Sequence, residues 1–141
     1  MPRTGALLLL SREHHTSLVM ARAARKAADA NDNIAHSEAL KRIEAHWHAV
    51  LVAHFAQEEQ LIRLAADALD PEAVARILSE HAELHTLACG PCLLEPIVRL
   101  RRVGDLLAAH VRYEERVIFP QLQSHSGMTS EALLNPSHSE R

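Results

Sequence analysis

Apolar residues recur in steps of three and four along four stretches of the chain, and this period limits the fold more than any other feature of the sequence. No stretch shows the strict apolar–polar alternation that is typical of a half-buried strand. Gly contributes only 4 of the 141 residues and aromatic side chains only 3%, whereas Ala and Leu, which favour helix, are abundant. The sequence therefore predicts an all-α protein.

The residues between these stretches predict where each helix begins and ends. A polar cluster at residues 31–33 ends the first helix, and Gly90-Pro91 ends the third. Asp70-Pro71 is typical of a helix start, because an N-cap residue is followed by Pro at the first helical position. The helices are predicted at about residues 4–29, 37–68, 71–88 and 93–123. Four long helices with short connections favour an up-down-up-down four-helix bundle.

Composition indicates a single domain with a substantial core, since the chain is 48% hydrophobic. We assign residues 1–124 to the bundle and residues 125–141 to a polar C-terminal tail with one short turn near residues 131–134. A formal charge of −3 with dispersed Arg residues argues against nucleic acid or a membrane surface as a partner. The apolar run at residues 7–10 is too short for a signal peptide or a membrane span, so we expect a cytoplasmic protein.

Two segments of this sequence, which contains 11 His residues, are near copies of each other. Residues 54–62 and 110–118 both have His first, an apolar residue second, Glu-Glu at the fifth and sixth positions, and Ile last. A His and a Glu four residues apart lie on the same face of a helix. Each segment therefore directs one imidazole and one carboxylate towards a common point, and such mixed nitrogen and oxygen donors suit iron and other first-row metals.

The apolar stripes of the predicted helices pass through these motifs and through three further His residues. His14 shares a face with Leu7 and Leu10 on the first helix, and His81 and His85 share a face of the third. The predicted inward-facing polar residues are His14, His54, Glu58, His81, His85, His110 and Glu114. Buried polar groups need partners. A hydrogen-bond network would serve for one of them, but a dinuclear metal site satisfies the whole set with one assumption.

Two of these positions have an alternative next to them in the sequence. On the first helix, His15 is the alternative to His14, which we prefer because its neighbours on the stripe are apolar. On the fourth helix, Glu115 is the alternative to Glu114. A residue five positions after His110 lies about 140° round a regular helix, so Glu115 would need a local π-bulge to face the same point. The repeat and the stripe both favour Glu114.

The order of these motifs resembles the hemerythrin-like domains, which are also called HHE cation-binding domains. The resemblance covers residues 7 to about 122 and includes His14, His54-x-x-x-Glu58, His81-x-x-x-His85 and His110-x-x-x-Glu114-Glu115. It implies a non-haem centre of two iron ions, bridged by the two carboxylates and an oxo or hydroxo group. His81, His85 and His110 would be terminal ligands of one iron, and His14 and His54 of the other. The second iron would keep an open position for a small molecule.

The resemblance implies a protein that binds or senses dioxygen, nitric oxide or peroxide, or that handles iron. An enzyme acting on nitric oxide or peroxide is one alternative, and a structural or interaction bundle with a zinc or vestigial metal site is another. We expect binding rather than catalysis, because the Glu-x-x-His motif of ferritin-like di-iron sites is not found in the sequence. A sensor of this kind would need a separate signalling partner or would act as a homodimer.

Cys89-Gly90-Pro91-Cys92 has the spacing of a thioredoxin active site. That chemistry needs a strand before the first Cys and a helix N-terminus that lowers the pKa of its thiol, whereas a helix is predicted before Cys89. We interpret the motif as a turn, and we keep as an alternative a reversible disulfide coupled to the metal site, with the start of the fourth helix favouring the thiolate. The His residues expected in solvent are His36, His125, His138 and at least one of His46 and His48.

Overall fold

The computed structural model describes residues 5–125, and over this range the chain forms four long helices that pack as a bundle. The first helix is α1, Gly5–Asp29. The second consists of α2, Asn33–His46, a first π-helical segment, Trp47–Leu51, and α3, Val52–Leu64, and a 3-10 turn, Ala66–Ala68, follows it. The third is α4, Pro71–Cys89, and the fourth consists of α5, Pro96–Tyr113, a second π-helical segment, Glu114–Ile118, and α6, Phe119–Ser124. No strand occurs within residues 5–125, so the prediction of an all-α four-helix bundle is confirmed.

Local sequence explains where the helices begin. The carboxylate of Asp32 accepts a hydrogen bond from Ile34 N–H at 2.9 Å, so the second helix begins at residue 33 and not at residue 37. Asp70 caps α4 in the same way, as predicted. The fourth helix begins at Pro96 and not at residue 93, because Pro suits the first turn of a helix but not its interior. The predicted tail, apart from residue 125, and its turn near residues 131–134 lie outside the described residues.

Two hydrophobic clusters fill the bundle, one towards each end. One cluster includes Leu7, Leu61, Ile77 and Phe119, and the other includes Ala24, Trp47, Leu84 and Leu107. Each cluster combines the early residues of one helix with the late residues of the next, so consecutive helices run antiparallel. The level between the two clusters is left for polar side chains.

Gly104 allows α5 to pack closely against α1. A Cβ atom at this position would lie 2.7 Å from Arg25 Cγ and 2.9 Å from the carbonyl oxygen of Ala21. Gly→Ala within a helix normally raises the free energy of unfolding by roughly 1 kcal/mol. Here we expect Gly104→Ala to lower it by about 1–3 kcal/mol through overpacking.

Chemical denaturation of the variant measures this effect. The exposed Ala109 lies on the same helix, and Ala109→Gly is the control, with an ordinary propensity loss of roughly 1 kcal/mol. A Gly104→Ala variant that is as stable as the wild type, or more stable, would contradict the close packing of α1 and α5.

Candidate metal centre

Six buried polar side chains meet at the level between the two hydrophobic clusters, and all four helices contribute to them. They are His14 from α1, His54 and Glu58 from α3, His81 from α4, His110 from α5, and Glu114 at the start of the second π-helical segment. None of these residues is more than 5% exposed. The bundle therefore encloses four imidazoles and two carboxylates in a setting where each needs a partner.

The donor atoms of these side chains form two overlapping groups among the described residues. Within each group the atoms lie within 4.8 Å of one another. One group contains His14 and His54, the other contains His81 and His110, and both contain Glu58 and Glu114. Each group could hold a metal ion, and the two groups have both carboxylates in common.

Glu58 contacts imidazoles of both groups through different oxygen atoms. Its Oε2 lies 2.7 Å from His54 Nε2, and its Oε1 lies 3.1 Å from His81 Nε2. Glu114 likewise lies between the groups, with Oε1 2.9 Å from His14 Nε2 and 3.3 Å from His110 Nε2. Both carboxylates thus contact imidazoles of the two groups.

Four buried atoms of the cluster lack a hydrogen-bond partner within the described part of the chain. They are His54 Nε2, Glu58 Oε2, His110 Nε2 and Glu114 Oε2. The 2.7 Å between His54 Nε2 and Glu58 Oε2 is short, but the angles do not suit a hydrogen bond. An unpaired buried polar atom costs about 1–3 kcal/mol. All four atoms belong to residues of the two donor groups, where a bound cation could serve as their partner.

In the metal-free cluster, the pKa values of the His14 and His110 imidazoles are raised. Burial lowers the pKa of His14, but hydrogen bonds with three carboxylates, chiefly Glu114, outweigh burial and raise the pKa to about 11. Burial also lowers the pKa of His110, but the charge of Glu114 helps to raise it to about 9. Burial raises the pKa of Glu58, yet the charge of His54 and hydrogen bonds from imidazoles hold that pKa well below its usual range. Cations that bind here would displace protons from these imidazoles.

A second set of carboxylates surrounds the cluster, and each accepts a hydrogen bond from the outer nitrogen, Nδ1, of one imidazole. The pairs are His14 with Glu115 at 2.6 Å, His54 with Glu13 at 2.7 Å, His81 with Glu59 at 2.8 Å, and His110 with Glu80 at 2.7 Å. From the sequence, Glu115 was considered only as an alternative metal ligand, and the outer position of these four carboxylates was not predicted. The signal that would have found them is adjacency, since each outer Glu is next to a cluster residue in the sequence.

Geometry separates the alternatives that the sequence left open. His14 is buried, whereas His15 is exposed. Glu114 is buried within the cluster, whereas the side chain of Glu115 is 31% exposed and contacts the outer nitrogen of His14. The π-helical segment begins at Glu114 itself, so the wider turn follows the inward carboxylate and does not rotate Glu115 into its place.

The prediction that His85 faces inward is wrong. His85 is exposed and lies outside both donor groups, with its ring stacked on Trp47 at a centroid distance of 4.7 Å. The buried stripe of α4 passes from His81 to Leu84, which packs in the core, and Leu78 of the predicted stripe is exposed. The cluster therefore has two imidazoles on each side, not the three and two that the resemblance implied.

Two His residues outside the cluster also differ from expectation. His36 is buried and donates a hydrogen bond to the carbonyl oxygen of Ala30 at 2.7 Å, although it was expected in solvent. His46 is buried against Ser17, and His48 is exposed, as the expectation for this pair allows. His125 is partly buried, and residue 138 lies outside the described range.

Cys89 is the last residue of α4 and Cys92 lies in the connection to α5, and both are free, partly buried thiols. Cys92 precedes the first residue of α5 by four positions, so the pair does not lie at the start of that helix as proposed from the sequence. Burial, followed by the charge of Glu44, raises the pKa of the Cys89 thiol. The charge of Arg99 acts in the opposite direction but does not outweigh them, whereas a reactive thiolate requires a lowered pKa.

No protein-family model matches the chain, and no curated protein or solved structure is significantly similar to it. Among residues 5–125, no helix has the length and apolar content needed to cross a membrane.

Proposed function

We propose that the protein is a non-haem di-iron protein of the hemerythrin-like kind, which binds or senses dioxygen, nitric oxide or peroxide, or handles iron. One observation carries this proposal: two imidazole pairs share Glu58 and Glu114 in a buried cluster with four unpartnered donor atoms. Imidazole and carboxylate donors suit iron, manganese and zinc, and no thiolate is among them. His14 and His54 would hold one metal and His81 and His110 the other. Bound iron would supply redox chemistry and positions for a small ligand.

The surroundings of the cluster support a role in binding small molecules. Phe55 stacks on His81 with ring centroids 3.9 Å apart, and Phe119 stacks on His14 at 5.0 Å. These rings shield the imidazoles from water. A groove of about 380 Å³ between α3 and α4, lined in part by Phe55, His81 and His85, reaches the edge of the cluster. The groove ends at side chains that are at most 5% exposed, so a large substrate could not reach the donor atoms.

A metal-free structural role is the second candidate, and the raised pKa of His14 favours it because a protonated imidazole is a counter-ion for a buried carboxylate. The two candidates differ in what they do with the four unpartnered atoms. A purely structural network gains nothing from leaving them unpaired, whereas a cation site requires lone pairs that are free to bind. This difference makes the di-iron centre the stronger proposal.

Anaerobic loading with ferrous iron followed by addition of nitric oxide tests the proposed activity. We expect new visible absorption bands on addition of nitric oxide, because each pair of imidazoles leaves room for a further ligand. Exposure of separate samples to air and to hydrogen peroxide then compares the three ligands. Iron-loaded protein whose spectrum is unchanged by all three would overturn the binding or sensing role and leave iron handling.

A further inference from the structure

The four outer carboxylates form a closed ring around the bundle. Each one comes from the helix before that of its imidazole: Glu13 of α1 reaches His54, Glu59 of α3 reaches His81, Glu80 of α4 reaches His110, and Glu115 of the second π-helical segment reaches His14. The N···O distances of 2.6–2.8 Å are those of charge-assisted hydrogen bonds. The same contact is thus made at all four helix–helix junctions, which is hard to reconcile with incidental surface pairing.

The ring determines which nitrogen of each imidazole faces the cluster. An ionised carboxylate only accepts hydrogen bonds, so each Nδ1 carries a hydrogen and donates it outward. In a neutral imidazole the lone pair then lies on Nε2, which is the atom that each His directs towards Glu58 or Glu114. The outer carboxylates therefore orient the imidazoles and fix the tautomer that binds a cation.

The ring also sets the charge of the centre. Together, the two inner and the four outer carboxylates carry six negative charges when the imidazoles are neutral. Two divalent cations leave two of these charges unbalanced, whereas two trivalent cations balance all six. The outer carboxylates are between 14% and 44% exposed, so solvent screens part of their charge. Arg76 also pairs with Glu80 at 3.0 Å and offsets part of its charge.

We propose that Glu13, Glu59, Glu80 and Glu115 are positioning residues that tune this centre for a pair of metal ions in the trivalent state. The inference rests on the proposed function. Each hydrogen bond makes its imidazole a stronger electron donor to the metal. The negative charges of the outer carboxylates also favour the trivalent over the divalent state of the bound metal. The electrons pass to an external acceptor, which in the test is the redox mediator.

Glutamine and leucine variants separate the charge from the hydrogen bond. Glu80→Gln and Glu59→Gln keep an oxygen that accepts from Nδ1–H but remove the negative charge. We expect both variants to retain two irons and to show a more positive reduction potential in a mediated anaerobic titration, with a larger shift when they are combined. The matched control is Glu83→Gln, because Glu83 lies on α4 three residues after Glu80 and pairs with Arg102 instead of an imidazole.

Zinc provides a second measurement that does not depend on redox chemistry. Glu59→Leu removes the acceptor, so we expect it to bind Zn²⁺ about 10–100-fold more weakly than the wild type, while Glu59→Gln stays closer to the wild type. Equal zinc affinities in all three proteins would overturn the positioning role. A potential that moves no more in Glu80→Gln than in Glu83→Gln would overturn the charge role while leaving the di-iron centre intact. A wild-type protein that binds zinc but no iron would instead overturn the proposed function and the trivalent assignment together.

Discussion

Replacing Glu58 is expected to remove both metals from the protein. Glu58 is 1% exposed, belongs to both donor groups and contacts imidazoles of each through separate oxygen atoms. In a Glu58→Ala variant both cation sites lose a shared ligand, and Glu114 is the only carboxylate left in the two donor groups to balance the charge of the cations. Metal content per chain after identical loading measures this loss.

The metal-free form of the same variant gives an independent readout. Glu58 is the counter-ion of buried, protonated imidazoles, and breaking a buried pair by removing one partner costs about 3–5 kcal/mol. We expect Glu58→Ala to lower the free energy of unfolding by about this amount at neutral pH. The exposed Gln60 lies on the same helix, so Gln60→Ala is the control and should change neither quantity. A Glu58→Ala variant that still holds two metals would contradict the shared-carboxylate arrangement.

Alanine replacements of His81 and His85 are expected to have opposite outcomes. The two residues lie one turn apart on α4, but His81 is buried with Nε2 3.1 Å from Glu58, whereas His85 is exposed on Trp47. His81→Ala should lose one of the two metals or bind it at least about 100-fold more weakly, which is the upper end of the loss seen for supporting residues. His85→Ala should keep the wild-type metal content.

Metal analysis of both variants after dialysis against a chelator tests these two expectations. Circular dichroism shows whether each variant remains helical. Equal loss from both would mean that α4 is rotated relative to the structure described above. It would also restore the ligand set of three imidazoles and two that the resemblance implied.

The sequence alone was sufficient for the fold because the apolar period is continuous over each helix. Steps of three and four residues define which side of a helix is buried, and Asp70-Pro71 marks the start of α4 correctly. The start of the fourth helix was placed too early because the apolar residues just before Pro96 resemble a continuing stripe. In the structure, Leu93 is fully exposed, so apolar character at those positions does not reflect burial.

The sequence predicts a site residue correctly only where the apolar stripe identifies the buried face of its helix without ambiguity. Two apolar stripes on α4 pass through His81, and they differ by a small rotation of the helix. The predicted stripe is Val74, Leu78, His81 and His85, and the buried one is Ala73, Ile77, His81 and Leu84. Packing of Ile77 and Leu84 against the other helices selects the second stripe, and a single helix carries no information about that choice.

The pairing of each outer carboxylate with one imidazole could not be predicted from the sequence for a related reason. Glu115 and His14 are separated by 101 positions, and even the nearest pair, Glu59 and His81, is separated by 22. Such contacts depend on which helices are neighbours and how they are staggered. A Glu next to an inward residue lies about 100° round the helix, so it reaches the boundary with the adjacent helix, where it meets the outer nitrogen of that helix's imidazole.

The metal content of wild-type protein tests the central claim most directly. Metal-free protein is loaded anaerobically with ferrous iron, freed of excess iron by gel filtration and measured by elemental analysis against protein concentration. Two overlapping donor groups that share Glu58 and Glu114 predict about two irons per chain, saturating together because the carboxylates are shared. A single zinc ion per chain in the purified protein that iron does not replace, or no bound metal after loading, would contradict the account.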